Sequence, residues 1–279
     1  MHSLTAIQFN VLIGSIIGDE EITKIYKNSR RRNHSYREHY GINQEDYRKW
    51  KASFFNNLLY ITPKSCSVRS ASLPLFTKLY PHFYNEHGIK QLPFSLLESC
   101  NLPHFLAILY MDDGSLSITH RVNHHKKLIY LTPHIYLYLQ CYSLEELTKL
   151  NQHIKEAFNI IFHISARQDG QGFILKTTAV KETYQFLNLI FPVAAPCDSM
   201  HYKTSWTYRF AEEKKKWHSL LPDYHLVASS SERSKPYTEA EITRLIELKD
   251  KGWTTKSIAE FLDRSYWSVT AKWRDMNQS

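Results

Sequence analysis

Two apolar stretches of similar form, one near the N-terminus and one in the middle of the chain, end abruptly in carboxylates. Residues 9–18 are followed by Asp19, and residues 105–111 are followed by Asp112 and Asp113. Both stretches predict short buried helices. Because the helix macrodipole disfavours acidic side chains at a C-terminus, carboxylates at both ends indicate a role other than helix stability.

Two glycines in the first stretch predict how the two helices meet. Gly14 and Gly18 each cost a helix interior about 1 kcal/mol relative to alanine, and close packing of two helix backbones would offset that cost. Such packing would bring Asp19 close to Asp113. Two like charges repel unless a divalent cation lies between them, and carboxylate-bound Mg²⁺ is the usual apparatus for phosphodiester hydrolysis.

A similar order of elements follows each apolar helix. After Asp19 come a basic, aromatic-rich region at 24–51 and a helix predicted at 73–87. After Asp113, the pattern predicts an alternating strand at 127–133 and a second strand at 136–140. A helix follows, which begins at the capping box of Ser143 and Glu146. The last predicted elements are a hairpin at 162–176, with Asp169-Gly170 as its turn, and a helix at 180–190 that stops at Pro192. The order helix, strands, helix, strands, helix therefore occurs twice and predicts two half-domains about an approximate dyad.

A polar, Ser-rich segment at 228–236 predicts a linker, and a short helical unit follows it. Thr238 and Glu241 form another capping box, Gly252 predicts a helix end, and Ser265 is expected to cap a third helix. Three short helices in this arrangement are typical of a helix-turn-helix unit, which binds DNA or another protein.

The charge of the 279-residue chain is unevenly distributed. Lys and Arg number 35 against 27 Asp and Glu, for a net charge of +8. Residues 236–279 hold seven of each sign, which leaves 28 basic and 20 acidic residues in the rest of the chain. A basic balance favours a polyanionic partner.

The cysteines and the hydropathy of the chain indicate in which cellular compartments the protein is expected. The four cysteines are far apart and predict reduced thiols. No stretch approaches the roughly 20 apolar residues of a membrane span. We therefore expect a soluble, intracellular protein with no membrane partner, in a bacterial or phage cytoplasm or an organelle matrix.

Basic side chains follow both acidic helix ends and are expected to contact DNA phosphates and some base edges; a solvated loop is the alternative for the first of these regions. The contacts predicted in the first half are Lys24, Lys27, Arg30, Arg31, Arg32, Arg37 and Arg69. Those predicted in the second half are Arg121, Lys126, Lys127, Arg167 and Lys176, and those in the C-terminal unit are Arg264, Lys272 and Arg274.

The two acidic helix ends resemble the paired motifs of the LAGLIDADG homing endonucleases of the single-chain type. The matching segments are Leu12-Ile-Gly-Ser-Ile-Ile-Gly-Asp-Glu20 and Leu106-Ala-Ile-Leu-Tyr-Met-Asp-Asp-Gly114. The resemblance implies that Asp19 and Asp113 are metal ligands. It also implies that Lys90, in Ile89-Lys-Gln-Leu-Pro93, and Lys203, in Met200-His-Tyr-Lys203, are catalytic lysines that polarise solvent or stabilise phosphate charge.

The resemblance further implies the fold and the activity. We expect an α+β protein: a pseudo-symmetric, duplicated αββαββα domain with DNA-binding antiparallel sheets at 1–227, with half-repeats at about 7–100 and 101–210, and a small all-α helix-turn-helix domain at 237–279. The implied function is that of a monomeric, intron-encoded DNA endonuclease that uses Mg²⁺ or Mn²⁺ to cut a long, nonpalindromic, double-stranded target. An intron RNA maturase and a DNA-binding regulator that has lost cleavage are the alternatives on the same fold.

One residue departs from the family pattern. The position after Asp19 usually holds Gly or Ala, and here it holds Glu20. A long side chain there would either point outward or perturb the first metal site.

Overall fold

The computed structural model describes residues 4–167, 169–229, 237–264 and 266–277. The chain divides into two compact units, residues 1–230 and 231–279. Most of the predicted linker and the predicted cap Ser265 lie outside the described residues. The fold combines helices with antiparallel sheets, which confirms the predicted α+β class. Within the described ranges, no helix is long and apolar enough to cross a membrane.

The first half of the larger unit places four helices around a four-stranded antiparallel sheet. Its helices are α1 (Ala6–Ile17), α2 (Glu45–Ser53), α3 (Pro74–Phe83) and α4 (Phe94–Leu97). Its strands, β1 (Glu21–Ile22), β2 (Tyr36–His39), β3 (Leu59–Thr62) and β4 (Ser67–Ser70), follow the order β1-β2-β4-β3.

The second half has a larger sheet and more helices. Its helices are α5 (Pro103–Asp113), α6 (Leu144–Phe158), α7 (Val180–Ala194), α8 (His201–Thr204) and α9 (Trp206–Leu220). Its strands, β5 (Gly114–Asn123), β6 (Leu128–Leu137), β7 (His163–Ala166) and β8 (Phe173–Lys176), follow the order β5-β6-β8-β7, and β9 (His225–Ala228) pairs in parallel with β6.

Helices α1 and α5 pack against each other at the centre of the unit, as their glycines predict. A Cβ atom added to Gly14 would lie 2.9 Å from the backbone oxygen of Phe105. One added to Gly18 would lie 3.1 Å from Asp113 Oδ2 and 3.1 Å from Asp112 Cβ. Glycine is therefore the residue that lets the C-terminal end of α1 approach the two acids of α5.

Three helix and strand boundaries differ from those predicted. The two strands expected at 127–133 and 136–140 are the single strand β6, which contains Pro133. Strand β9 pairs only with residues 128–131 of β6, and strand β8 pairs only with residues 136–137. Neither of these two strands pairs with Pro133, whose nitrogen has no hydrogen to donate. The predicted stop of α7 at Pro192 is wrong, because the helix continues to Ala194.

The third difference bears on the site. The helix expected at 73–87 ends at Phe83, since Tyr84 is extended and pairs with Lys90 across a turn in which Gly88 has a φ of +76°. The basic region at 24–51 also contains helix α2, which the sequence pattern did not predict. Both changes lie next to the acidic helix ends.

The smaller unit consists of three short helices, α10 (Glu239–Asp250), α11 (Thr255–Phe261) and α12 (Tyr266–Asn277). The capping box of Thr238 and Glu241 begins α10, as predicted, and Gly252 follows α10 with a φ of +77°. The small core of the unit is formed by Leu245, Leu248, Ile258, Ala259 and Val269.

Candidate active site

Asp19 and Asp113 meet where α1 and α5 end. Asp19 is exposed, Asp113 is half-buried, and their carboxyl groups lie within hydrogen-bonding reach of each other. Burial, and then the negative charges of Asp19 and Asp112, raise the pKa of Asp113 from 3.8 to about 8. Burial and nearby negative charge thus favour the protonated form of Asp113.

Lys90 lies beside the end of α1. Its Nζ donates hydrogen bonds to the backbone oxygens of Gly18 at 2.5 Å and Glu20 at 3.2 Å. The backbone of Lys90 pairs with Tyr84, whose hydroxyl accepts a hydrogen bond from the Ile22 N–H at 3.1 Å. Because α3 ends at Phe83, the chain turns back and brings the Lys90 ammonium to the carbonyl groups of Gly18 and Glu20, which follow α1.

Lys203 occupies the corresponding place at the end of α5. Its Nζ donates hydrogen bonds to the backbone oxygens of Met111 at 2.9 Å and Asp112 at 3.4 Å. The Tyr110 hydroxyl donates to the backbone oxygen of Lys203 at 2.8 Å, which holds this lysine to α5. Burial lowers the pKa of Lys203, although nearby acids including Asp112 and Asp113 oppose that effect. The four predicted catalytic residues therefore lie together, one acid and one lysine at each helix end.

A buried ion cluster, formed by Glu20, Glu38, Asp112, Arg48 and Lys51, lies behind the two acids. Arg48 Nη1 is 2.5 Å from Glu38, 2.5 Å from Asp112 and 3.3 Å from Glu20. Lys51 Nζ is 2.5 Å from Glu20, 2.7 Å from Glu38 and 3.1 Å from Asp112. No side chain of the five is more than 2% exposed. The outward orientation considered for Glu20 is wrong, since its carboxyl group turns inward.

Glu20 and Glu38 of this cluster differ in how readily they bind a proton. Burial, followed by the charges of Asp112 and Glu38, raises the pKa of Glu20 well above its ordinary value. Burial acts in the same direction on Glu38, but Lys51, Arg48 and a hydrogen bond from Glu20 lower its pKa to about 2. Glu20 therefore binds a proton more readily than Glu38, because the two cations lower the pKa of Glu38 below its ordinary value.

Sequence reasoning missed the two basic members of the cluster and Glu38. Arg48 and Lys51 lie three residues apart on α2, a spacing that on a polar helix is typical of a solvated face. Their partners are 10 to 64 residues away in the chain. No local pattern signals such contacts.

The three carboxyl groups of the ion cluster also lie close enough to hold a metal, with ligand oxygens within 4.8 Å of one another. The same groups contact the ammonium of Lys51 and the guanidinium of Arg48. The protein supplies its own cations here, whereas no lysine or arginine of the described residues forms an ion pair with Asp19 or Asp113, although the charge of Lys90 lowers the pKa of Asp113.

The first-half sheet presents two predicted DNA contacts on its exposed face. Directly paired residues point to the same side of a sheet. Arg37 pairs with Glu21 on one side and with Arg69 on the other, and Arg69 also pairs with Tyr60. These four side chains therefore form one row across the four strands. A cavity of about 540 Å³ opens between Asp19 and this row and is lined in part by Arg37.

The second-half sheet carries a similar exposed face. Lys176 pairs with Tyr136 and His163, and Arg121 pairs with Tyr130. These side chains point away from Ile129 and Leu131, which pack on Trp217 of α9. Five other predicted contacts are exposed and lie in loops: Lys24, Lys27, Arg30, Arg32 and Lys126.

Several of the predicted DNA contacts have partners within the protein. Arg31 donates to the hydroxyls of Thr23 and Ser35, at 3.1 Å each, and to the backbone oxygen of Lys24. Its guanidinium therefore braces the loop between β1 and β2. Arg69 donates to the Ser67 hydroxyl at 3.0 Å. Ion pairs are formed by Arg167 with Asp169 at 2.5 Å, Lys127 with Asp223 at 3.7 Å, Arg37 with Glu21 at 3.9 Å and Arg274 with Asp275 at 4.0 Å.

Arg264, another predicted DNA contact, pairs with Glu241 within the smaller unit. Its side chain is only 10% exposed and makes a two-pronged contact with Glu241, at 3.0 and 2.8 Å. The guanidinium also lies over the Tyr237 ring, 4.4 Å from its centroid. Of the other two residues predicted on α12, Arg274 is exposed and Lys272 is half-buried.

Comparisons with known proteins agree with this arrangement. The model of the LAGLIDADG DNA endonuclease family matches residues 9–183. The curated relatives include Protein RecA of Mycolicibacterium chitae, 26% identical, and of Mycolicibacterium flavescens, 27% identical, each over 208 residues that cover 72% of this chain and 47% of the relative. The chain thus spans about half the length of the curated relatives it matches.

A solved structure supports the fold. The homing endonuclease I-WcaI bound to its DNA recognition sequence matches with a TM-score of 0.56 and 22% identity, over 73% of this chain and 88% of that one. The family match covers most of both halves, including both acidic helix ends. The chain belongs to the LAGLIDADG DNA endonuclease family.

Proposed function

We propose that this chain is a site-specific endonuclease that hydrolyses phosphodiester bonds of double-stranded DNA with divalent metal ions held by Asp19 and Asp113. The observation that carries the proposal is the contact between these two carboxyl groups at the junction of α1 and α5, where burial, and then repulsion from Asp19 and Asp112, raise the pKa of Asp113 to about 8. Packing that brings two acids together without a protein cation between them favours a site for an added cation.

The residues at the junction fit Mg²⁺ or Mn²⁺. Both ions prefer oxygen ligands, and Asp19 and Asp113 offer carboxylates from the two helix ends. When bound, the metal would activate water and stabilise the leaving oxygen of the scissile phosphate. Glu20 and Asp112 are poor candidates for ligands, because Lys51 and Arg48 already contact Oε1 of Glu20 and both carboxylate oxygens of Asp112.

Lys90 and Lys203 are proposed to assist at one helix end each. Each ammonium is fixed by two backbone oxygens, so its position does not depend on the substrate. A preorganised positive charge stabilises the negative charge that develops on a phosphate during hydrolysis. The matching positions of the two lysines suit a target in which each strand is cut once.

DNA is proposed to lie across the exposed faces of the two sheets. Arg37 and Arg69 would contact one half of the target, and Arg121 and Lys176 the other half. Because both acids come from one chain, we propose that a monomer cuts both strands. The unit at 237–279 would act as a tethered helix-turn-helix module, with Lys272 and Arg274 toward phosphate, and a tether raises affinity through effective concentration.

Plasmid cleavage tests the proposed function. The substrate joins the two genomic flanks of the insertion that encodes the protein, since the empty insertion site is the expected target. We expect the wild type to linearise this plasmid with Mg²⁺ and not with EDTA. Asp113→Asn should lower kcat by about a thousandfold or more, because a catalytic metal contributes several kcal/mol to transition-state stabilisation.

Glu145→Gln is the matched control for loss of a carboxylate. The Glu145 side chain is 78% exposed and forms an ion pair with Lys149 on the surface of α6, so its loss should leave kcat unchanged. If the wild type binds the joined flanks tightly but leaves them intact with Mg²⁺ and with Mn²⁺, the endonuclease proposal is wrong and the chain is a non-cleaving DNA-binding protein.

A further inference from the structure

We propose that the buried ion cluster is a positioning device through which helix α2 of the first half sets the Asp113 carboxylate of the second half. Tyr47, Arg48 and Lys51 of α2 are the positioning residues. They act through Asp112, which precedes Asp113 in the last turn of α5. This inference rests on the proposed function, because it assigns α2 a part in cleavage.

Both carboxylate oxygens of Asp112 are anchored by α2. Oδ1 accepts hydrogen bonds from the Tyr47 hydroxyl at 2.9 Å and from Arg48 Nη1 at 2.5 Å. Oδ2 accepts one from Lys51 Nζ at 3.1 Å. With its side chain 0% exposed and both oxygens held, Asp112 cannot change rotamer without breaking a buried charged contact.

Asp112 is also held through its backbone, from the opposite side. Lys203 donates to its carbonyl oxygen at 3.4 Å and to that of Met111 at 2.9 Å. The peptide that leads into Asp113 is therefore fixed by a side-chain anchor from the first half and a backbone anchor from the second. Catalytic groups must be held within a fraction of an ångström, and supporting contacts of this kind provide that precision.

Stability alone does not account for the cluster. When a buried ion network is replaced by apolar residues of similar volume, the stability of the protein is often unchanged or increased. Such networks are retained in some proteins because they fix one arrangement of the groups around them. The cations of the ion cluster also come from one half only. Among the ion pairs of the described residues, those with both side chains at most 2% exposed all have Arg48 or Lys51 of α2 as the base.

Two tyrosines of equal burial provide a matched test. Tyr47 and Tyr36 are each 1% exposed, and each donates one hydroxyl hydrogen bond into the cluster. Tyr47 donates to Asp112 at 2.9 Å, whereas Tyr36 donates to Glu38 at 2.7 Å. Glu38 adjoins neither catalytic acid in the chain. Tyr47→Phe and Tyr36→Phe therefore remove the same group from two sides of one cluster.

We expect both variants to lower the urea midpoint of unfolding by a similar amount. Tyr47→Phe should lower kcat about tenfold at unchanged KM, since a small displacement of a catalytic group slows chemistry without weakening DNA contacts on the sheets. Nicked plasmid should accumulate, because Tyr47 anchors the acid next to Asp113 and makes no hydrogen bond to Glu20. Tyr36→Phe should stay within about twofold of wild-type kcat.

Equal kcat values for the two variants would overturn the inference, and so would a loss in Tyr47→Phe that resides in KM. Failure of the proposed function is a different result, namely that the wild type cuts no plasmid. In that case Mn²⁺ titration of the free proteins decides the inference. A several-fold weaker Mn²⁺ affinity for Tyr47→Phe than for Tyr36→Phe supports the positioning role, and equal affinities exclude it.

Discussion

The two acidic helix ends are built alike at their lysines and differently at their acids. Lys90 binds the carbonyls at the end of α1, and Lys203 binds those at the end of α5. Asp19 is nevertheless exposed while Asp113 is half-buried. The inner neighbours of these acids, Glu20 and Asp112, both enter the ion cluster supplied by the first half. A duplicated fold can thus keep its symmetry at the proposed catalytic groups and lose it in the residues that support them.

The same asymmetry runs along the packed helices. The matching motif segments place Gly14 and Gly18 of α1 opposite Ile108 and Asp112 in the alignment of α5. In the structure the side chain of Ile108 lies against Gly14, and Asp112 Cβ lies against Gly18. One helix supplies the space, and the other supplies the atoms that fill it.

The largest expected effect comes from removing a cation of the ion cluster. Lys51→Met leaves buried carboxyl groups without one of their two cations, and breaking a buried charged network in this way costs about 3–5 kcal/mol of unfolding free energy. Urea unfolding followed by circular dichroism measures the loss.

Lys49→Met is the matched control on the same helix. Lys49 pairs with Glu45 at 2.8 Å, nearly the distance at which Lys51 meets its acids, but the Lys49 side chain is 56% exposed. Its loss should leave the urea midpoint of unfolding almost unchanged, because an exposed ion pair contributes little to stability. Similar losses in the two variants would show that the cluster is solvated and does not distinguish the two helix ends energetically.

Local patterns account for what the sequence predicted well. Capping boxes at Ser143 and Thr238 begin α6 and α10 as expected, because a cap depends on side chains within one turn of the chain. The junction of Asp19 and Asp113 was predictable since two motif copies and the glycines of α1 all point to it. In each case the information lies within a short segment or in a repeat of one.

Contacts between distant segments were not predictable. The burial of Arg48 and Lys51 depends on Asp112, more than 60 residues away, and a polar helix such as α2 gives no sign of it. The continuation of α7 through Pro192 likewise goes against the residue's local preference. For Glu20, the sequence showed an unusual residue but not the partners that decide where it points.

The second prediction uses pH to separate the two acids. The folded-state pKa of Asp113 is about 8, above its ordinary 3.8. The contribution of its proton to stability is therefore complete below about pH 4 and is lost as pH rises through 8. Allowing for solvent screening of this half-buried group, we expect metal-free protein to lose about 2 kcal/mol between pH 5 and 8.5.

Thermal unfolding in EDTA measures this loss, with Asp113→Asn as the comparison. The variant cannot titrate at this position and should lose less stability over the same range. Mg²⁺ should raise the Tm of the wild type more at pH 8.5 than at pH 5, because the cation binds the ionised pair. If Asp113→Asn and the wild type have parallel pH profiles, repulsion between the acids does not set the difference between the helix ends.

The smallest effect tests the close approach of the helices themselves. In Gly14→Ala the added methyl would meet the Phe105 backbone oxygen at 2.9 Å, which neither helix can relieve by rotating a side chain. Overpacking of this kind costs about 1–3 kcal/mol, and the better helix propensity of alanine returns about 1 kcal/mol.

We therefore expect a net loss of about 1 kcal/mol for Gly14→Ala in urea unfolding. Gly41→Ala serves as its control, since no atom lies within 4 Å of the added Cβ and the backbone φ of −75° suits any residue. It should be neutral or slightly stabilising, because alanine restricts the unfolded chain. A Gly14→Ala protein as stable as Gly41→Ala would mean that α1 and α5 can separate slightly at no cost. The contact between Asp19 and Asp113 would then depend on the ion cluster and the two lysines rather than on the glycines.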